Sequence, residues 1–253
     1  MHPFVAVMRK YCIDYTNSHD QSLYDEIMEP DYVVHISGFD LDRDGLYKRA
    51  VENIFEQSPG LGLVVHELLL NGDRLCMRFS EHGAMATPDG PRLACWPGIG
   101  LYKWNGRRLT ENYVQQDYLA MQQQLSTGTP HALEPPHLDP WTTTSPVAAD
   151  AAAEAAVRAW LDAGALGALA DPLDVTKVEV DDLFSVGARV PFHVTLTGAY
   201  RGGLPGVGDE HVGTELTMHA AAIATVAGGD VTVERGVANR MGIVSQLTGA
   251  LPF

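Results

Sequence analysis

The sequence predicts an α+β chain of two cone-like curved antiparallel sheets, each with helices on one face, the second a shortened copy of the first. Three observations carry this expectation. Apolar residues recur at helical spacing near the start, two Asn-Gly pairs punctuate long alternating stretches, and two ungapped blocks of the first half recur in the second. At 253 residues the chain suits one large or two ordinary domains of roughly 100–150 residues. Its 45% hydrophobic content is enough for packed cores.

The elements follow in order. "FVAVMRKYCIDYTNS" and "DQSLYDEIMEP" carry helical apolar spacing, the second opening on Asp20 as an N-cap and closing before Pro30. "DYVVHISGF" reads as one strand, and "RDGLYKRAVENIFEQSPG" as a helix ended by Pro59-Gly60. A meander of antiparallel strands comes next, turning at Asn71-Gly72 and at Asn105-Gly106, because Asn-Gly supplies the positive-φ residues of tight hairpins. Prolines 130, 135, 136, 140 and 146 exclude helix and central strand between Ser126 and Ala149. That stretch is expected to be an extended linker lying along a domain surface through Leu133, Leu138 and Trp141. The domains are therefore placed at 1–128 and 150–253, with 129–149 between them.

An offset of 115 lays residues 65–85 on 180–200, matching Gly72 to Gly187, Arg74 to Arg189 and Gly83 to Gly198. An offset of 122 lays residues 104–125 on 226–247, matching Gly106 to Gly228 and Gln124 to Gln246. Two blocks in the same order indicate duplication. Pro30 to Val65 in the first copy corresponds to only Pro172 to Val180 in the second, which is expected to lack a strand and a helix.

Seventeen basic against 32 acidic residues give a net charge of −15, which disfavours nucleic acid and anionic lipid as partners. No apolar run approaches the ~20 residues of a membrane span, and "MHPFVAVMRKYCID" is unlike a secretory signal, so a cytoplasmic protein is expected. Cys12, Cys76 and Cys95 lack disulfide or metal spacing and read as small core residues.

"SLYDEIMEPDYVVH", "RDGLYKRAVENIFEQSPGL", "NGDRLCMRFSEHG" and "LTENYVQQDYLAMQQQL" occur in the order seen in a known family. Over most of residues 8–128 the first copy resembles the SnoaL-like polyketide cyclases and ester cyclases of the nuclear transport factor 2-like superfamily. The resemblance implies a cystatin-like α+β barrel around a ligand cavity and cofactor-independent chemistry; it does not fix a reaction.

On a strand, Glu111, Tyr113, Gln115 and Asp117 share one face and Asn112, Val114 and Gln116 the other. By the resemblance, the first set faces the cavity, with the carboxylate at Asp117 as acid/base. Capping of the following helix is the structural alternative for Asp117. His35 is expected either to stabilise an enolate or to be an ordinary surface or core histidine, and Arg78 either to hold a substrate carboxylate or carbonyl or to pair with a carboxylate as structure. His82 and Ser80 share the face of Arg78, opposite Met77, Phe79 and Glu81. Trp96 and Tyr102 would form an aromatic wall for a flat ligand, with plain core packing as the alternative. Together with Tyr113 and Gln115, these residues suit a hydrophobic, carbonyl-bearing small molecule undergoing cyclisation, isomerisation or dehydration.

In the second copy Asp117 becomes Asn239, which can cap a helix but cannot accept a proton. That copy is therefore expected to pack sheet to sheet as a degenerate partner, making a covalent pseudodimer with homodimerisation open. No cofactor is expected, and scattered histidines give no metal motif. Epoxide hydrolysis is the second enzymatic reading; by the resemblance it uses an Asp-Arg-Asp arrangement, of which Arg78 and Asp117 could supply two members and Asp42 is a candidate for the third. A non-catalytic binding or scaffold protein is the third.

Overall fold

The computed structural model describes residues 1–132, 134 and 139–250. The chain opens with α1 (Pro3–Arg9), whose Pro3 sits in the first turn where no N–H is needed, and continues as wider π-helical turns over Lys10–Asn17. Asp20 caps a short turn leading into α2 (Tyr24–Ile27). Strands β1 (Met28–Ile36) and β2 (Phe39–Asp42) follow, joined by Ser37 and Gly38 at φ 54° and 84°. The stretch expected to be one strand is thus a hairpin, because two successive positive-φ residues fold it back. Then come α3 (Lys48–Gln57), β3 (Gly62–Leu70), β4 (Arg74–Met85), β5 (Arg92–Trp104), β6 (Leu109–Gln116) and α4 (Tyr118–Thr127).

Between the halves lies α5 (Pro140–Thr143), a single turn with Asp139 as cap and Pro140 at its first position. The expectation of a linker without helix is corrected there, since proline is tolerated at that one helical position. Trp141 packs on the first core as expected, whereas Leu133 and Leu138 lie outside the described residues. The second half contains α6 (Ala151–Asp162), β7 (Leu173–Leu183), β8 (Arg189–Tyr200), β9 (Glu215–Ala227), β10 (Asp230–Ala238) and α7 (Arg240–Thr248).

Among the described residues the strands form a six-stranded sheet, ordered β2-β1-β6-β5-β4-β3, and a four-stranded sheet, ordered β10-β9-β8-β7. Hydrogen-bonded register repeats the sequence offsets. Arg74 faces Lys103 in the first copy and Arg189 faces Thr225 in the second; Gly98 faces Gln116, and Ala220 faces Ala238. Even a bulge recurs, between Val65 and Glu67 and between Val180 and Asp182.

Two details differ from expectation. β1 pairs with β6 in parallel, because the helices deliver Met28 opposite Leu109, where β6 begins, so the first sheet is mixed. The second copy has no counterpart of β1, β2 or α3 among the described residues, and so lacks two strands where one was expected.

The sheets pack face to face. Leu69, Cys76, Ile99 and Leu101 of the first meet Ala221, Ile223 and Val237 of the second, all buried. At the rim, Arg189 pairs with Glu67 and Arg74 with Asp182, and Asn71 Nδ2 donates to the Ser185 carbonyl at 3.0 Å. The linker is pinned alongside by Val147 N–H to Leu70 O and Gly187 N–H to Ala148 O, each 2.9 Å. The other face of the second sheet is filled by α6, with Val157 and Leu161 against Phe192 and Ala222. Truncating one side of the sheet contact leaves a cavity: Leu101→Ala is expected to cost ~2–5 kcal/mol in urea unfolding. A loss below ~1 kcal/mol would mean that this face is not packed in solution.

Candidate functional site

The remaining face of the first sheet, covered by the π-helical turns of Lys10–Asn17, by α3 and by Tyr118 and Met121 of α4, holds a cavity of about 330 Å³. Alternation decides its lining. Val34 and Ile36 come from β1, Met77, Phe79 and Glu81 from β4, Tyr102 from β5, and Asn112, Val114 and Gln116 from β6. Gly98 and Gly100 leave the space in which aromatic side chains lie over the sheet. A Cβ at Gly98 would overlap the ring of Phe79, and one at Gly100 would come within 2.7 Å of the ring of Tyr102.

Glu81 is the carboxylate in this apolar enclosure. Trp96, fully buried, can only donate, so its Nε1–H at 2.6 Å fixes the Gln116 amide with Oε1 toward it. Gln116 Nε2–H then points at Glu81 Oε1, 3.2 Å away. Burial pushes the Glu81 carboxyl up to about 7 and outweighs the Gln116 hydrogen bond, which favours the charged form. Near neutral pH this carboxyl can both take and return a proton. The phenols of Tyr11, Tyr47 and Tyr102 are raised well above their ordinary value by burial and stay neutral as donors. Asn112 is buried and its Oδ1 has no donor.

The face assignment made from the sequence is thereby corrected. Glu111, Tyr113 and Gln115 do share a face, but that face meets the second sheet and not the cavity. Gln115 Nε2 lies 2.8 Å from His193 Nε2, and the ring of Tyr113 is 5.3 Å from that of His193. His35 stacks on Tyr113 at 4.1 Å, with Nδ1 2.6 Å from Asp40 and Nε2 3.0 Å from Glu111. Burial pushes Glu111 up, but Lys103 and His35 outweigh it and hold the carboxyl below its usual range, as befits an ion-pair partner. Arg78 donates to Glu134 at 2.8 Å and lies 3.6 Å from Glu67. Ser80 Oγ is 2.9 Å from His66 Nε2, and His82 sits across from Gly62 on the same outward face.

Asp117 is the cap of α4, accepting from Ala120 N–H at 3.0 Å, as Asn239 caps α7 by accepting from Gly242 N–H at 2.9 Å. It lies outside the cavity lining. Tyr102 lines the cavity, and Trp96, outside its lining, orients Gln116. The epoxide-hydrolase arrangement is not assembled either. Arg78 and Asp117 are engaged elsewhere, and Asp42 accepts from Gly45 N–H at 2.8 Å and Leu46 N–H at 3.1 Å.

Sequence reasoning missed Glu81, although the signal was present: a carboxylate continuing the otherwise apolar face of Met77 and Phe79.

No family model matches the sequence, and no curated protein matches it. Solved structures to which it is similar include polyketide cyclases, some of them SnoaL-like, and a candidate hydroxylase from Streptomyces galilaeus. A candidate polyketide cyclase from Acidithiobacillus ferrooxidans is 22% identical, with a TM-score of 0.44, over 49% of this chain and 94% of its own. A candidate polyketide cyclase from Streptomyces antibioticus is 20% identical, with a TM-score of 0.45, over 50% of this chain and 99% of its own. A SnoaL-like polyketide cyclase from Agrobacterium tumefaciens is 18% identical, with a TM-score of 0.42, over 49% and 99%. Each spans about half of this chain. No helix among the described residues is long and apolar enough to cross a membrane.

Because Glu81 titrates near 7 in the fold instead of near 4.5, the native state holds an extra proton between those values. Stability falls as pH rises through that window, and the cost is fully present above about 7. Glu81→Gln is therefore expected to be more stable than the parent by ~1–3 kcal/mol at pH 8 and nearly equal to it at pH 4.5, read from urea midpoints. A difference that did not change with pH would refute the raised carboxyl. At the cap, Asp117→Asn should unfold within ~0.5 kcal/mol of the parent and Asp117→Ala should lose ~1 kcal/mol. Equal losses from both would mean that the carboxylate does more than cap.

Proposed function

We propose that the first copy is a cofactor-independent acid/base enzyme acting on a hydrophobic small molecule, with Glu81 moving the proton. The single observation that carries this is a carboxyl near pKa 7 at the wall of an apolar cavity. Glu81 would remove a proton from carbon beside a carbonyl and return it elsewhere on the same molecule. Gln116, itself held by Trp96, fixes the carboxylate for that transfer. The neutral phenols of Tyr11 and Tyr102 would donate to the developing enolate oxygen, and Asn112 Oδ1 offers an acceptor for a substrate hydroxyl. An enolate so formed is the common start of cyclisation, isomerisation and dehydration. Polyketide-like ring precursors, which combine carbonyls, hydroxyls and apolar surface, meet these requirements. The second copy serves as an intramolecular partner in a covalent pseudodimer, its own interior being filled by α6.

The test uses 5-nitrobenzisoxazole, a generic apolar carbon acid whose ring opens on proton loss. Turnover is expected to rise with pH through about 7 and to fall by ~10²–10⁴ in Glu81→Gln, with Asp117→Asn unaffected. Turnover that survives in folded Glu81→Gln would sink the mechanism. Binding of the probe without turnover by the parent protein would favour a carrier.

A further inference from the structure

The polar cluster between the two sheets is separate from the cavity and has no part in the chemistry above. We propose that Asp181, His193 and His219 form a binding site for a divalent transition-metal ion of the Zn²⁺ type, on the face of the second copy that meets the first.

Three neighbouring strands build the site. Asp181 is the residue bulged out of β7, His193 lies on β8, and His219 lies on β9 directly across from Thr195. Their ligand atoms lie within 4.8 Å of one another. A tetrahedral ion ~2.0–2.1 Å from each ligand spaces them about 3.4 Å apart, so rotation of the side chains closes the set. Two imidazoles and one carboxylate are the donor set of Zn²⁺ or Co²⁺; Ca²⁺ and Mg²⁺ prefer oxygen alone. Asp181 keeps 24% side-chain exposure, which leaves an approach for the ion and for a water as fourth ligand.

A second observation points to the same ion. Gln115 is fully buried and its amide meets His193 Nε2, yet its Oε1 has no partner. The two ends of an amide are told apart only by their partners. Turned over, Gln115 would accept from His193 Nε2–H and so leave Nδ1 free as a ligand, the orienting contact that metal-bound histidines receive. At the positions equivalent by offset, the first copy carries His66, Arg78 and Pro97, which cannot make the set. The site is therefore a property of the second copy alone, completed from the first by Gln115.

Without an ion, the same atoms are held by hydrogen bonds: His193 Nδ1 to Asp181 at 2.7 Å, and Thr195 Oγ1 to Asp181 at 2.9 Å and His219 at 3.0 Å. The experiment separates the two states. Tag-free full-length protein is stripped with chelator and titrated with Co²⁺, then with Zn²⁺. One equivalent of Co²⁺ should produce the visible absorption of a nitrogen- and oxygen-ligated ion, Zn²⁺ should bleach it, and either metal should raise the melting temperature. His219→Gln should weaken Co²⁺ binding at least ~10-fold; if it fails to fold, Asp181→Asn, of equal size, takes its place. Glu81→Gln should bind Co²⁺ like the parent, which separates this site from the cavity. Absence of the Co²⁺ band in the parent protein, or equal affinity in folded His219→Gln or Asp181→Asn, would overturn the proposal.

Discussion

A β-strand has two faces, and in the first sheet both are used up. One is pressed against the second sheet through Leu69, Cys76, Ile99 and Leu101, and this contact decides the fate of every polar residue that shares the face. A buried polar group left without a partner costs ~1–3 kcal/mol, and Gln115, Arg78 and Ser80 each find one across or along the interface, with Gln115 Oε1 the atom left over. They meet His193, Glu134 and His66 respectively. The richness in His, Arg, Glu and Tyr on that face belongs to an internal joint.

The opposite face is thereby free to line a cavity, and its apolar character sets the chemistry there. Gly98 and Gly100 let the rings of Phe79 and Tyr102 lie close over the sheet. Within this enclosure a single carboxylate feels burial strongly, and the fixed amide of Gln116 cannot offset it. The order Trp96, Gln116, Glu81 matters because an indole only donates: it selects which end of the amide reaches the carboxylate.

The second copy repeats the ladder register, the bulge and the capped final helix, but not the space. Without counterparts of β1, β2 and α3 among the described residues, its inner face is covered by α6. The run Ala220 to Ala222 with Ala224 keeps β9 thin between that helix and the first sheet. The same strand scaffold thus surrounds a cavity in one half and a packed helix in the other.

Most of the order of elements (though not the β1–β2 hairpin or α5), the duplication with both offsets, the Asn-Gly turns and the caps at Asp117 and Asn239 were legible in the sequence, because each depends on local backbone chemistry or on periodicity. Period-two alternation also sorted Glu111, Tyr113 and Gln115 from Asn112, Val114 and Gln116 correctly. Which set faced the cavity was not legible. That depends on what covers each side of the sheet, and here a second sheet covers the more polar one. Glu81 shows the same division: the sequence put a carboxylate on the apolar face of Met77 and Phe79, while only the tertiary structure enclosed that face and raised its pKa. Alternation is set by the chain within a few residues, but burial is set by elements a hundred residues away.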